Sequence, residues 1–318
     1  MGLVLAGCTS TFDAGVNNSY TRLPVDERNP IVIINDGVYD NWQGEYALLL
    51  SNGAGPKLVG IIVVTTTQRS NLEENLTGWR ALVDAARKSG MKVVYPTGST
   101  GAPLKRPANG EISATVPNRS EGANLILKAA EEYALPYRPL VVATGTRLTD
   151  VADAYLMDQS IVDRVVVVSS LGTLSPSGAG ADMGIPNGEM DTWADAIVAA
   201  KFTYIQVSAN YQSTTDVPAS RLGNLPSHDF GLWVAAKQPG VWDDPKAADQ
   251  VAVQAVGVRG FVVSVDSVAP SGQLGDGGTG PALVPITNGR DLLVREIASS
   301  KATEQFWTLI NDSKTYKH

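Results

Sequence analysis

The sequence predicts an α/β fold, a mostly parallel, doubly wound open sheet with helices on both faces. Three observations lead there. Apolar, β-rich runs alternate along the chain with segments of helical period. Two of those runs, Ile61-Ile62-Val63-Val64 and Val165-Val166-Val167-Val168, are continuously apolar, as strands covered on both faces require. The 318 residues are 43% hydrophobic, enough for a sizeable core.

Residues 9–29 are polar and without sustained period and read as a linker or surface-wrapping arm, so 1–29 are expected to form an N-terminal tether or the remnant of a lipoprotein signal. The folded domain is expected over 30–318. Within it, strands are expected at 31–34, 58–64, 91–95, 140–143, 165–168, 202–207, 261–265 and 292–294, where β-branched and aromatic residues run together between turn formers. Helical spacing of apolar residues places helices at 44–50, 72–88, 121–133, 149–157, 192–200 and 246–256. Two Gly/Ser/Pro-rich stretches, 175–188 and 270–280, are expected as long loops over the sheet edge.

Composition excludes several classes of function. The formal charge of −7 comes from dispersed acids, with no basic stripe to track phosphates, so nucleic acid is not an expected partner. No apolar run reaches the roughly 18 residues that a spanning helix needs. One cysteine, Cys8, allows neither an internal disulfide nor a multi-cysteine metal site. Its setting, Leu5-Ala6-Gly7-Cys8 followed by Thr9-Ser10-Thr11, resembles the lipobox at which bacterial lipoprotein precursors are cut and lipidated. The residues before it supply neither a basic region nor a full apolar stretch, so two expectations stand side by side. One is a lipid-anchored protein of the bacterial cell envelope attached through Cys8; the other is a chance match and a cytoplasmic protein.

Two hydrolytic schemes are absent. There is no Gly-x-Ser-x-Gly elbow, and a Ser-His-Asp triad would depend on His228 alone, which is expected instead to cap the apolar stretch 230–236. No Gly-x-x-x-x-Gly-Lys-Ser/Thr loop occurs either.

Ligands of open α/β sheets bind beyond the carboxyl ends of the strands. There the first strand runs into Asn35-Asp36-Gly37-Val38-Tyr39-Asp40-Asn41, whose side-chain oxygens can converge in a tight loop to suit a hard cation such as Ca²⁺. Asn, Asp and Gly are also ordinary turn formers. Asp243 and Asp244 precede the helix expected at 246–256, with Asp244 suited to an N-cap before Pro245 and still able to reach a metal.

Together with Val94-Tyr95-Pro96-Thr97-Gly98, Pro103-Leu104, Gly145-Thr146-Arg147-Leu148-Thr149-Asp150, Glu189-Met190-Asp191 and Phe306-Trp307, these segments resemble, in order, the inosine-uridine-preferring nucleoside hydrolases. That family removes a nucleobase from ribose with a tightly held calcium ion. Its first strand ends in Asp-x-Asp-Pro-Gly-x-Asp-Asp. The resemblance implies that Asp36 binds calcium and serves as general base, that Asp40 binds ribose, and that Asn41 stands at a calcium-ligating aspartate. The Thr149 backbone carbonyl and Asp244 would complete the metal set. Glu189 and Asp191 would hold ribose hydroxyls, Thr67 falls where a substrate-contacting asparagine is usual, and Asp243 replaces the histidine beside the leaving base.

Ile34 stands where the family has its leading aspartate. The expectation is a calcium-dependent hydrolase of the N-glycosidic bond of a ribonucleoside or related ribosyl compound. The alternative is a ribosyl- or carbohydrate-binding protein that keeps the cleft and has lost full hydrolytic competence. A homo-oligomer is the assembly the resemblance implies.

Overall fold

The computed structural model describes residues 23–39, 42–67, 69–170, 191–207, 219–237, 257–258, 260–271 and 282–318. A nine-stranded sheet organises them, in the order β3-β2-β1-β4-β5-β6-β9-β7-β8. Its strands are β1 (Pro30–Asn35), β2 (Lys57–Val63), β3 (Pro96–Gly98), β4 (Leu140–Thr144), β5 (Val165–Ser169), β6 (Thr203–Val207), β7 (Val262–Ser271), β8 (Ala282–Pro285) and β9 (Asp291–Ile297). From β3 across to β9 every pairing is parallel, while β7 joins β9 and β8 antiparallel. The parallel strands therefore end along one edge.

Seven helices among the described residues cover the sheet: α1 (Gln43–Asn52), α2 (Leu72–Lys88), α3 (Glu121–Tyr133), α4 (Thr149–Met157), α5 (Thr192–Lys201), α6 (Asp229–Ala236) and α7 (Ser299–Asn311). Alternation along β1 shows how they divide. Ile31 and Ile33 enter a core with Trp42, Tyr46, Trp79, Phe230 and Phe306 from α1, α2, α6, α7 and the turn before α1. Val32 and Ile34 enter a second core with Ile126, Val151 and Ile197 from α3, α4 and α5. Both faces are thus apolar, which is why the central strands read as unbroken apolar runs.

Helix starts are set by their caps. Asn71, Ser120 and Asp191 accept from the backbone N–H of Glu74, Ala123 and Ala194 at the heads of α2, α3 and α5. His228 does the same for α6, its Nδ1 accepting from the Gly231 N–H at 3.1 Å, in keeping with the expected capping role.

Two expectations are corrected. The strand expected at 91–95 does not form, and β3 begins at Pro96. The Lys92 backbone is taken by the Asn52 side chain, which accepts from its N–H at 2.7 Å and donates to its carbonyl at 2.9 Å. Pro270 and Ser271, expected in a long loop, are the last residues of β7 and pair with Leu283 and Ala282 of β8. Ahead of β1, Val25 lies in the first core and Asn29 donates to the Pro139 carbonyl at 2.7 Å. Residues 1–22 with Cys8, the loop expected at 175–188 and the helix expected at 246–256 lie outside the described residues. Among the described residues no helix is long and apolar enough to cross a membrane.

One close contact links the core to the strand edge. A Cβ built on Gly44 would lie 2.6 Å from the ring of the buried Trp79, whose Nε1 donates to the Asp36 carbonyl at 3.2 Å. Gly44→Ala is therefore expected to cost about 1–2 kcal/mol, the overpacking penalty exceeding the roughly 1 kcal/mol gained in helix propensity. Urea unfolding checks it, and a variant as stable as the wild type would refute it.

Candidate functional site

Asp36 is the first residue past β1, at the middle of the parallel edge. It is buried, 8% exposed, and its Oδ2 accepts from the Thr66 hydroxyl at 2.8 Å. Thr66 lies in the turn after β2 and is itself fixed there, its N–H donating to the Arg69 carbonyl and its Oγ1 accepting from the Arg69 N–H. With Trp79 on its carbonyl, Asp36 is clamped from two elements while its carboxylate stays at the edge. Thr67, next to Thr66, is exposed at the same turn.

A second cluster forms where the turns after β3 and β4 meet the heads of α3, α4 and α5. Asp191 is buried and heavily used. Its Oδ2 accepts from the Thr149 hydroxyl at 2.7 Å and the Leu104 N–H at 2.9 Å, and its Oδ1 caps α5. A carboxylate offers about four acceptor positions, so one remains. Burial pushes the Asp191 carboxyl up, opposed by those hydrogen bonds. Asp150, beside Thr149, accepts from the Ser99 and Ser120 hydroxyls, both at 2.7 Å. Its carboxyl is also raised by burial, with the two hydroxyls pulling it down. Asp153, one turn on, accepts the N–H groups of Asn118, Arg119 and Ser120 and so ties the head of α3 to α4.

The structure thus brings Thr149 and Asp191 into direct contact and sets Asp36 on the neighbouring strand end, β1 lying beside β4. Asp40, Asn41, Glu189, Asp243 and Asp244 lie outside the described residues.

A calcium ion needs six to eight oxygen donors. Asp36 is a donor of the right kind. Thr149 opens α4, and its hydroxyl donates to Asp191 at 2.7 Å. Among the described residues no three His, Cys, Asp or Glu side chains converge on a metal position.

Arg147 was read only as part of a motif. The residue is 7% exposed, and its guanidinium reaches from the turn after β4 to the Thr65 hydroxyl at 3.4 Å and the Thr100 carbonyl at 3.3 Å and lies against Gly101. Gly101 has φ +30°, and a Cβ there would sit 3.2 Å from Nη2, so a side chain at 101 would be strained and would crowd the guanidinium. Burial lowers the Arg147 pKa, and Asp150 and Asp191 oppose that shift. The signal was present: one charged residue stands in a short strand-to-helix turn whose neighbours are apolar or small.

No protein-family model matches the chain, and no curated protein sequence does. Solved structures do. The inosine-uridine preferring nucleoside hydrolase from Bacillus anthracis is 16% identical with a TM-score of 0.58, over 91% of this chain and 100% of that one. An inosine-guanosine nucleoside hydrolase is 14% identical with a TM-score of 0.61, over 88% and 98%. A purine-preferring ribonucleoside hydrolase from Gardnerella vaginalis is 16% identical with a TM-score of 0.57, over 90% and 99%. Each likeness runs nearly end to end, and at such identities it is a likeness of fold.

Proposed function

We propose that this chain, which has the nucleoside hydrolase fold, is a hydrolase that cleaves the N-glycosidic bond of a ribosyl compound with Asp36 as its general base. One observation carries the proposal. In a fold matched over 91% of the chain, the buried carboxylate of Asp36 stands at the carboxyl end of β1, oriented by Thr66. Substrates of open α/β sheets sit at that edge.

In this reading Asp36 takes a proton from water, the water oxygen bonds to the anomeric carbon, and the carbon–nitrogen bond breaks toward the leaving base. The sugar becomes cationic in the transition state, as in other glycoside cleavage. Carboxylates around the ribose stabilise it, and Asp40, Glu189 and the remaining acceptor position of Asp191 are assigned to its hydroxyls. Asp243 is assigned to the leaving base, which needs a proton; a carboxyl does this only when its pKa is raised. Calcium, where bound by Asp36, Asn41, the Thr149 carbonyl and Asp244, would supply a more acidic water.

Asn41 favours a second reading, a ribosyl-binding protein without turnover. With an asparagine at 41 the metal set loses one negative charge, and charge count tunes calcium affinity. Calorimetry of metal-stripped protein with Ca²⁺, followed by a panel of nucleosides and p-nitrophenyl riboside, separates the two. Calcium binding with release of a leaving group is the expected result. Absence of calcium binding at millimolar concentration removes the metal from the proposal. Binding of ribosyl compounds without any release transfers it to the second reading.

A further inference from the structure

We propose that Arg147 forms an oxyanion-binding position at the candidate site, and that the ribosyl compound this protein takes carries a phosphate or carboxylate group. The ribosyl half rests on the function proposed above; the anionic half rests on Arg147.

Arg147 is buried, and among the described residues its guanidinium is poorly satisfied. Its bonds to Thr65 and Thr100, at 3.4 and 3.3 Å, exceed the usual N–H···O range of about 2.7–3.2 Å, and Nε has no acceptor. No carboxylate among the described residues pairs with it. The two acids that lie near enough to act on its charge are turned elsewhere. Asp150 accepts from Ser99 and Ser120, and Asp191 accepts from Thr149, Leu104 and Ala194. Taking such a charge out of water costs several kcal/mol unless it is paired, and an anionic ligand would supply the pairing that no described residue does.

Its surroundings point to an anion. Arg147 lies two residues before α4, a nine-residue helix whose N-cap position is Leu148, with no side-chain cap. Leu148, Thr149 and Asp150 are all buried, so the first-turn N–H groups of α4 present their partial positive charge where water is scarce. The guanidinium and the helix head therefore share one corner. That corner is at the candidate site: in the order β3-β2-β1-β4, an arginine from the turn after β4 that touches the turns after β2 and β3 spans the end of β1, where Asp36 begins. A planar fork with a vacant Nε edge suits two oxygens of a phosphate or carboxylate.

Calorimetry on the full chain tests this with inorganic phosphate and two matched pairs, ribose against ribose 5-phosphate and nicotinamide riboside against nicotinic acid riboside. The member that carries the phosphate or carboxylate is expected, in at least one pair, to bind about tenfold more tightly or better, as one charge-assisted bond allows. The pair that shows it identifies phosphate or carboxylate as the group recognised. Arg147→Met is expected to remove the preference. Arg147→Lys, which keeps the charge without the fork, should retain part of a phosphate preference and little of a carboxylate one. Equal binding of the members with and without the phosphate or carboxylate overturns the proposal while leaving the ribosyl reading in place. A preference that persists in Arg147→Met overturns it too, whereas phosphate binding that depends on Arg147 without any ribose binding keeps the anion position and refutes the ribosyl reading. Binding of no probe removes both, and the wild-type comparison decides the matter even if Arg147→Met fails to fold.

Discussion

Asp36→Asn is expected to lower kcat for any ribosyl substrate by about a thousandfold, within the 10²–10⁴ range that a positioned general base contributes. The substitution isolates chemistry from architecture. Asparagine keeps an oxygen that can accept from Thr66, and the Trp79 bond goes to the Asp36 backbone carbonyl, which the change does not touch. The unfolding midpoint should therefore move little. A carboxamide cannot take a proton from water, so the acidic limb of the pH–rate profile should vanish together with the activity. A loss confined to KM would mean that Asp36 only binds. A variant within tenfold of wild-type kcat would exclude Asp36 as the base.

Much of this architecture was legible because local patterns agreed with the tertiary result. The helices expected at 72–88, 121–133 and 149–157 form over those residues, and the four-valine run became β5. The failure at 91–95 has a different origin. Val93 and Val94 carry β propensity, but the Lys92 backbone is claimed by Asn52, forty positions upstream, and no local window contains that competitor. Pairing of β7 with β8 was hidden for a related reason, since Pro270 reads as a loop residue until an antiparallel partner is known.

The site divides along the same line. Asp36 could be found because a strand end followed by acids is a local signal. Thr66 and Arg147 could not be given their contacts, because those contacts come from turns that only the strand order brings together. Asp191 was recognised as a site acid. Its service to Thr149, Leu104 and the head of α5 is tertiary and invisible in Glu189-Met190-Asp191.

Lys237→Met should destabilise the fold by about 3–5 kcal/mol, the cost of leaving one member of a buried ion pair without the other. Lys237 follows α6, and its ammonium lies 2.5 Å from the Glu45 carboxylate in the first turn of α1, both side chains fully buried. The Glu45 Oε2 has no hydrogen-bond partner, so the carboxylate depends heavily on that single cation. Burial pushes the Glu45 carboxyl up, and Lys237 opposes the shift. Removing the ammonium removes the opposition and raises the folded pKa further. Between the unfolded and the folded pKa the native state then binds more protons than the unfolded one, so stability falls as pH rises through that window. Destabilisation of Lys237→Met should accordingly be smaller at pH 5 than at pH 8. The double variant Glu45→Leu/Lys237→Met should recover most of the loss, since an apolar pair avoids the desolvation of both charges. Urea midpoints at the two pH values decide the matter. A single variant within 1 kcal/mol of wild type at pH 8, or a double variant no more stable than the single, would show that α1 and α6 are held together by their apolar contacts and that the ion pair contributes nothing to joining them.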